Sequence, residues 1–248
     1  MTVDGLIHLG ASHFGHELDL AGALAQLDAV GSGVALAVTA HPRGANFPTA
    51  NDLILQAAHE SAGRILVLAR VDPWEGCAAV AEVRRAVAAG ARGVFLHPGE
   101  EHFRINDTQR VRPIVEAAAE LDVAVVVAAG THLLSEPLQL AQAAQWAPRT
   151  PFVLTNGGQF NISGMMQFDA ELALGNDNVI VQTTAMYRQD FLEGVVAKFG
   201  PQRLMYASGA PVFDMSYERA RVDATHLDDA ARELVLAGNA QRVFGLLA

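Results

Sequence analysis

The sequence predicts an α/β fold, a (β/α)8 TIM barrel, and three observations support this prediction. Eight short apolar runs rich in β-branched residues recur along the chain, and each run is continuous rather than alternating. Continuous runs are typical of parallel strands that are buried on both faces. Helical periods lie between the runs, and no glycine-rich phosphate-binding turn follows the first run, which disfavours the alternative of an open doubly wound sheet.

The predicted strands follow one another at the spacing that a strand–helix repeat requires. They are Leu6–Leu9, Val34–Val38, Ile65–Ala69, Gly93–Leu96, Val123–Val127, Phe152–Leu154, Val179–Gln182 and Leu204–Ala207. Eight strands, each followed by a helix or helical segment, is the count of a closed barrel of this class.

Helical periods fill the intervals between these runs. The predicted helices are Leu18–Val30, Asn51–Ala62, Gly76–Ala89, Gln109–Leu121, Pro137–Trp146 and Gln189–Phe199. One helix start is also marked by residue type, since Ser135 can cap a helix and Pro137 fits its first turn. The interval before Pro137 is therefore expected to be a loop that leads from a strand end into the helix.

Length and composition predict one cytoplasmic barrel domain that spans residues 1–248. The chain is 51% hydrophobic, which is enough to fill a large core, and its net charge of −10 argues against nucleic acid and anionic membranes as partners. The lone Cys77 allows no internal disulfide and suggests a reducing compartment. We find no signal-peptide pattern, and the longest apolar stretch, Val123–Gly130, is too short for a membrane span.

Five segments together resemble the amidohydrolase-related family of hydrolases and decarboxylases. They are residues 4–10 (DGLIHLG), 64–73 (RILVLARVDP), 93–98 (GVFLHP), 205–211 (MYASGAP) and 228–245, which ends in GNAQRVFG. Residues 121–130, followed by 135–138, also resemble the family's fifth strand and the start of the next helix. The resemblance covers nearly the whole chain and implies an amidohydrolase-like barrel. It says less about chemistry, because function depends on the residues at the strand ends.

The resemblance also implies where a metal site would stand, and this sequence departs from that pattern. The first-strand histidine pair falls on Leu6 and His8, and a fourth-strand lysine of some members falls on Phe95. The fifth- and sixth-strand histidines fall on Ala128 and Asn156, and the eighth-strand aspartate falls on Gly209. Leucine, phenylalanine, alanine and glycine side chains cannot bind a metal. We therefore expect no metal and no other cofactor. The loop residues His13, His16 and His102 are expected to be surface polar groups, without a dedicated metal site.

Polar residues at the predicted strand ends define a candidate site, because barrel active sites form there. The candidate catalytic residues are His8, His97 and Asn156, and the candidate substrate-binding residues are Leu6, Phe95, Gln182, Thr184, Tyr187, Arg188 and Ser208. Histidine can act as an acid or base near neutral pH, and an amide can polarise a carbonyl. Burial beside Leu6 and Phe95 is expected to lower the pKa of His8.

Three functions remain open at this stage. The first is a metal-independent enzyme that acts on a small molecule at the barrel mouth by cyclisation, elimination, isomerisation or hydrolysis, for example in biosynthesis. The second is a pseudoenzyme, an inactive homologue that pairs with an active amidohydrolase-type subunit. The third is a small-molecule binding protein. We also expect a homodimer, or a heterodimer with an amidohydrolase homologue, because the mean hydropathy of +0.20 leaves apolar surface to cover.

Overall fold

The computed structural model describes residues 2–42, 44, 46–158, 171–186 and 188–246, and they form a curled sheet surrounded by helices. The nine strands are β1 (Thr2–Ala11), β2 (Glu17–Leu18), β3 (Ser32–Thr39), β4 (Ile65–Arg70), β5 (Gly93–Leu96), β6 (Ala124–Val127), β7 (Phe152–Leu154), β8 (Val179–Gln182) and β9 (Leu204–Met205). Neighbouring strands are parallel, except that the short β2 pairs antiparallel with β1.

The sheet closes on itself between its two ends. Its order is β2-β1-β3-β4-β5-β6-β7-β8-β9, and the segment after β9 returns to β1. The amide of Gly5 donates to the carbonyl of Tyr206 at 3.0 Å, and the amide of His8 donates to the carbonyl of Ala210 at 2.7 Å. These bonds confirm the predicted barrel, and the alternative of an open doubly wound sheet is wrong. The strand β2 is a small addition that the sequence did not predict.

All six predicted helices are present, with ends that differ by a few residues. They are Leu20–Ala29, Phe47–Glu60, Cys77–Ala88, Arg112–Glu120, Pro137–Ala144 and Gln189–Phe199. Further helices are Pro98–Glu101, Met215–Asp223, Asp229–Glu233 and Asn239–Val243, the last two joined by a π-helical turn at Leu234–Gly238. Single 3-10 turns lie at Pro73–Glu75, Asn156–Gly158 and Pro201–Arg203. Among the helices in the described ranges, none is long and apolar enough to cross a membrane.

Capping explains one difference between the predicted and observed helix starts. The helix Phe47–Glu60 begins four residues before the predicted start, because the side chain of Asn46 accepts the amide of Thr49. The predicted cap at Ser135 is wrong by one residue. Glu136 is the cap, and its amide donates to the side chain of Gln139 at 3.0 Å. The Ser135 hydroxyl instead holds the preceding loop, by donating to the carbonyl of Ala128.

Alternation along the strands divides the core into an inner and an outer part. On β5, Phe95 points into the barrel and packs in one cluster with Leu6 and Leu68, while Val94 and Leu96 pack outward with residues of the surrounding helices. Phe244, which directly follows the helix Asn239–Val243, joins the inner cluster near Gly93, at the amino end of β5. The amino end of the barrel is thus closed by helix, and its carboxyl end is left for a cavity.

Candidate functional site

A cavity of about 300 Å³ lies at the carboxyl ends of the strands, and we call it the mouth cavity. Its lining consists of Leu6, His8, Ser12, Phe14, His16, Ala40, His41, Phe95, His97, Glu100, Ala128, Ala129, Thr131, Thr155, Asn156, Thr184, Gly209, Pro211, Val212 and Phe213. Apolar groups form its floor, and the exposed rings of Phe14 and Phe213 stand at its edge. A mostly apolar pocket with a few polar groups is typical of small-molecule sites.

His8 presents its imidazole to this cavity from β1. The ring packs edge-on against Phe95, with 5.8 Å between the ring centroids. Within the described residues, no side-chain hydrogen bond to the imidazole is found, and the residue lines the mouth cavity. Burial lowers the pKa of His8 to about 3, and the nearby charge of Arg70 contributes to the lowering. The predicted fall in the His8 pKa is confirmed, and the ring is neutral at physiological pH.

His97 follows β5 directly and differs from His8 in having a fixed orientation. Its Nδ1 accepts the backbone amide of Glu100 at 3.1 Å, and its Nε2 lies 3.6 Å from the Glu100 carboxylate. A nitrogen that accepts an amide carries no proton, so the neutral ring holds its proton on Nε2. Burial lowers the pKa of His97 to about 3, with a further contribution from the Arg70 charge. His97 is therefore a neutral hydrogen-bond donor.

Arg70 lies at the end of β4, near both histidines, and it was not predicted as a site residue. The guanidinium is fully buried and binds the carboxylates of Glu100 and Glu101, with its Nε 3.0 Å from Glu101. It also donates to the carbonyl of Thr39 at 3.2 Å and lies over the ring of Phe95. The signal that was available is a charged residue at the end of an otherwise apolar strand, followed by two consecutive glutamates after His97 and Pro98.

The pKa of Glu101 indicates that the ion cluster of Arg70, Glu100 and Glu101 is shielded from water. Burial raises the pKa of Glu101 to about 7, although the neighbouring Arg70 charge acts in the opposite direction. Asn51 completes the cluster, because its side chain bonds both the amide and the carbonyl of Arg70 and also reaches Glu82. The arginine is thus held by its backbone as well as by its side chain.

The structure brings six of the ten predicted site residues together around the mouth cavity. They are Leu6, His8, Phe95, His97, Asn156 and Thr184. The Asn156 amide donates to the carbonyl of Ala129 at 3.2 Å, and the Thr184 hydroxyl donates to the carbonyl of Ala207 at 3.0 Å. Both polar side chains are thereby fixed by backbone groups at the strand ends. The lining also includes Phe14, His16 and His41, which lie on the first two loops and were not predicted as site residues.

Three other predicted site residues are not among the described residues that line the mouth cavity. Gln182 is buried and donates to the carbonyl of Gly5 at 3.0 Å, between β8 and β1. Ser208 is buried, and its hydroxyl accepts the amide of Ala210 at 3.1 Å. Arg188 pairs with Asp190. The remaining predicted residue, Tyr187, lies outside the described residues.

The cavity does not fit the metal centre that the resemblance would imply. Within the described ranges, no group of three or more histidine, cysteine, aspartate or glutamate side chains is arranged to hold a metal ion. Leu6, Phe95 and Ala128 form an apolar wall. Gly209 has a φ of +70°, and a Cβ added there would lie 2.6 Å from the Thr184 methyl group. The backbone at that position is therefore shaped for glycine rather than for an aspartate.

Comparison with known proteins gives a consistent answer about the fold. A family model described as "Amidohydrolase" matches residues 15–246. No curated protein matches the sequence. A 2,6-dihydroxybenzoate decarboxylase from Rhizobium is similar in structure, with a TM-score of 0.80 at 17% identity over 99% of this chain and 98% of that one.

Two further solved structures show the same likeness. A proposed 2-pyrone-4,6-dicarboxylic acid hydrolase from Pseudomonas putida has a TM-score of 0.81 at 18% identity, covering 100% of this chain and 98% of that one. A 5-carboxyvanillate decarboxylase from Novosphingobium aromaticivorans, complexed with manganese and 4-hydroxy-3-methoxy-5-nitrobenzoic acid, has a TM-score of 0.81 at 13% identity over 99% and 96%. At these identities the likeness concerns the fold alone.

Proposed function

The chain belongs to the amidohydrolase family. From this membership and from the chemistry of the mouth cavity, we propose that the protein is a metal-independent enzyme that performs acid–base chemistry on a small molecule. One observation carries the proposal. Two neutral imidazoles face one cavity in different hydrogen-bonding states, His8 without a partner among the described residues and His97 with its proton on Nε2. Such a pair can accept a proton at one point of a ligand and donate a hydrogen bond at another.

The proposed division of labour follows from these states. His8 is the base, which takes a proton from a substrate carbon, hydroxyl or water molecule. His97 is the donor, whose Nε2–H stabilises the oxygen on which negative charge develops. The low pKa of His8 makes it a weak base in the empty cavity. A developing negative charge nearby would raise that pKa during the reaction. Cyclisation, elimination, isomerisation and hydrolysis all include a step of this kind.

The lining supports an uncharged substrate that is mostly apolar. Leu6 and Phe95 would pack against its hydrocarbon part, while His8, His97 and Asn156 would contact its polar groups. The buried charge of Arg70 is taken up by Glu100 and Glu101 rather than directed at a ligand. A cavity of about 300 Å³ accommodates a molecule built around one or two rings.

Metal analysis tests the first part of the proposal, which is that the enzyme works without a metal. We expect far less than one equivalent of zinc, iron or manganese in the purified protein, because the described part of the chain offers no set of three suitable ligands. Treatment with a chelator should leave the melting temperature unchanged, since no metal stabilises the native state. One tightly held transition metal per chain, lost together with thermal stability on chelation, would contradict the proposal.

Variants test the second part of the proposal, which is the role of His8 as the base. The chelator-treated protein is screened with uncharged cyclic carbonyl and hydroxyl compounds, first by thermal shift and then by mass spectrometry for conversion. For a converted compound, His8→Ala should lower turnover by roughly 10²–10⁴-fold, which is typical of a lost acid or base. His59→Ala, on the exposed face of an outer helix, is the matched control and should keep full turnover.

The same screen separates the alternatives. Binding without conversion, unaffected by chelation, would favour the small-molecule binding protein over the enzyme. If no compound binds and the chain instead raises the activity of a co-expressed amidohydrolase homologue, the inactive partner is favoured. Conversion that survives both His8→Ala and His97→Ala would remove the proposed acid–base pair.

A further inference from the structure

A second cavity, of about 240 Å³, lies at the opposite end of the barrel from His8 and His97. It is lined by Pro148, Arg149, Pro151, Asp177, Asn178, Ile180, Gln202, Arg203 and Arg242. Pro151, Asn178 and Arg203 immediately precede β7, β8 and β9, so the cavity opens at the amino ends of these strands. We call it the basic cavity, because three guanidinium groups and one carboxylate line it.

Arg203 is the fixed element of the basic cavity. It is 8% exposed, and its Nε donates to the carbonyl of Val179 at 2.6 Å. One of its terminal nitrogens donates to the carbonyls of Leu174 and Asn176 at 2.7 and 2.6 Å. These bonds to neutral carbonyls hold the guanidinium in place and leave its charge without a bound carboxylate among the described residues.

The other charges around Arg203 leave the cavity positive. Burial lowers the pKa of Arg203, the nearby Asp177 partly offsets this, and the Arg242 charge lowers the pKa further. Arg242 donates to the carbonyl of Gln202 at 3.0 Å, so it is held on the same wall. Arg149 is exposed and forms no hydrogen bond or ion pair with any residue in the described ranges. Two neighbouring guanidinium groups that repel each other are stabilised by a shared anion.

We propose that the basic cavity binds a small dianion, a phosphate monoester or a dicarboxylate, through Arg149, Arg203 and Arg242. Guanidinium groups donate pairs of parallel hydrogen bonds that match the oxygens of phosphate and carboxylate. Convergence of three arginines is unusual in a chain with only 17 lysines and arginines and a net charge of −10. The site is separate from the mouth cavity, so the proposal does not depend on the proposed function.

Titration with simple anions tests this proposal. The protein is titrated with inorganic phosphate, phenyl phosphate and succinate at constant ionic strength, by isothermal calorimetry and by thermal shift. We expect saturable binding of at least one probe. Tighter binding of phenyl phosphate than of succinate would indicate a phosphate monoester, and the reverse would indicate a dicarboxylate. The double variant Arg149→Ala/Arg242→Ala should weaken that binding by at least about tenfold, since two of the three charged donors are lost.

The matched control is Arg84→Ala/Arg112→Ala, which removes the same charge from two half-exposed side chains far along the chain from the basic cavity. This control should bind the probe as the wild type does. Arg203 is not substituted, because its carbonyl contacts support the fold. The proposal is overturned if no probe binds saturably, if the Arg149→Ala/Arg242→Ala protein binds unchanged, or if the control pair weakens binding to the same extent.

Discussion

At the scale of single residues, the two histidines at the mouth illustrate how burial and one hydrogen bond assign different roles to the same side chain. His8 and His97 both have pKa values lowered to about 3, so neither carries a charge near neutral pH. Only His97 has a nitrogen occupied by a backbone amide, from Glu100. A proton can therefore be accepted at His8, while His97 offers a fixed donor.

The lowered pKa of His8 predicts how stability changes with pH. Unfolding restores an ordinary histidine with a pKa near 6.5, so the unfolded chain binds a proton first as the pH falls. The contribution of neutral His8 is present above about pH 6.5 and is lost as the pH falls towards 3. Between about pH 7.5 and pH 5, the wild type should lose about 2 kcal/mol more free energy of unfolding than His8→Asn.

Urea unfolding at the two pH values measures this difference. The comparison with His8→Asn isolates one group, because His97, Glu101 and the other shifted groups are present in both proteins. His59→Asn, an exposed substitution on an outer helix, should keep the wild-type pH dependence. If the free energy of unfolding falls equally in the wild type and in His8→Asn when the pH is lowered, His8 is not held neutral by the fold.

At the scale of elements, the ends of β4 and β5 are joined by the buried ion cluster of Arg70, Glu100 and Glu101. Arg70 comes from the last position of β4, and both glutamates come from the short helix Pro98–Glu101 that follows β5. In the same helix, the backbone amide of Glu100 donates a hydrogen bond to Nδ1 of His97. The cluster thus fixes the loop that orients the proposed donor.

Removal of Arg70 should therefore be costly. Arg70→Met leaves Glu101 buried without its partner, and we expect a loss of roughly 3–5 kcal/mol in the free energy of unfolding. The double variant Arg70→Met/Glu101→Gln should recover part of the loss, because the unpaired buried carboxyl is also removed. Arg84→Met, in an exposed ion pair with Glu120, should change stability by no more than about 1 kcal/mol. Equal effects of the two single arginine variants in denaturant titrations would contradict this account.

At the scale of the whole molecule, the barrel separates two chemically different ends. The mouth cavity combines apolar walls with the neutral imidazoles of His8 and His97, whereas the basic cavity collects three arginines at the amino ends of β7, β8 and β9. The outer helices carry exposed leucines, among them Leu53 and Leu138, which are 62% and 51% exposed. This distribution of exposed leucines is consistent with a dimer in which the outer helices are buried and the mouth cavity stays open.

We therefore predict a dimer that buries outer helices rather than the mouth. Light scattering at micromolar concentration should give about twice the chain mass of 26.3 kDa, either for the protein alone or with a co-expressed homologue. At least one of Leu53→Glu and Leu138→Glu should reduce that mass, because a buried charge opposes association. A monomer under both conditions would count against the prediction.

Much of the fold could be predicted from the sequence, because strands and helices are encoded by local patterns. All eight predicted strands and all six predicted helices are present within a few residues. The positions of His8 and His97 at strand ends followed directly from these patterns, and so did the apolar wall of Leu6 and Phe95. The short β2 and the cap at Glu136 were missed, because each depends on one or two local hydrogen bonds.

The candidate site was predicted less completely, because several of its contacts join distant parts of the chain. Arg70 meets Glu101 across 31 residues, and the Gln182 amide reaches Gly5 across 177. Such contacts decide whether a polar side chain at a strand end faces the cavity or satisfies a neighbouring backbone group. The sequence alone therefore determined the barrel and its histidines. Only the tertiary structure decided which nitrogen of His97 carries the proton and where Gln182 and Ser208 lie, because these hydrogen-bond partners meet only when the strands close into a barrel.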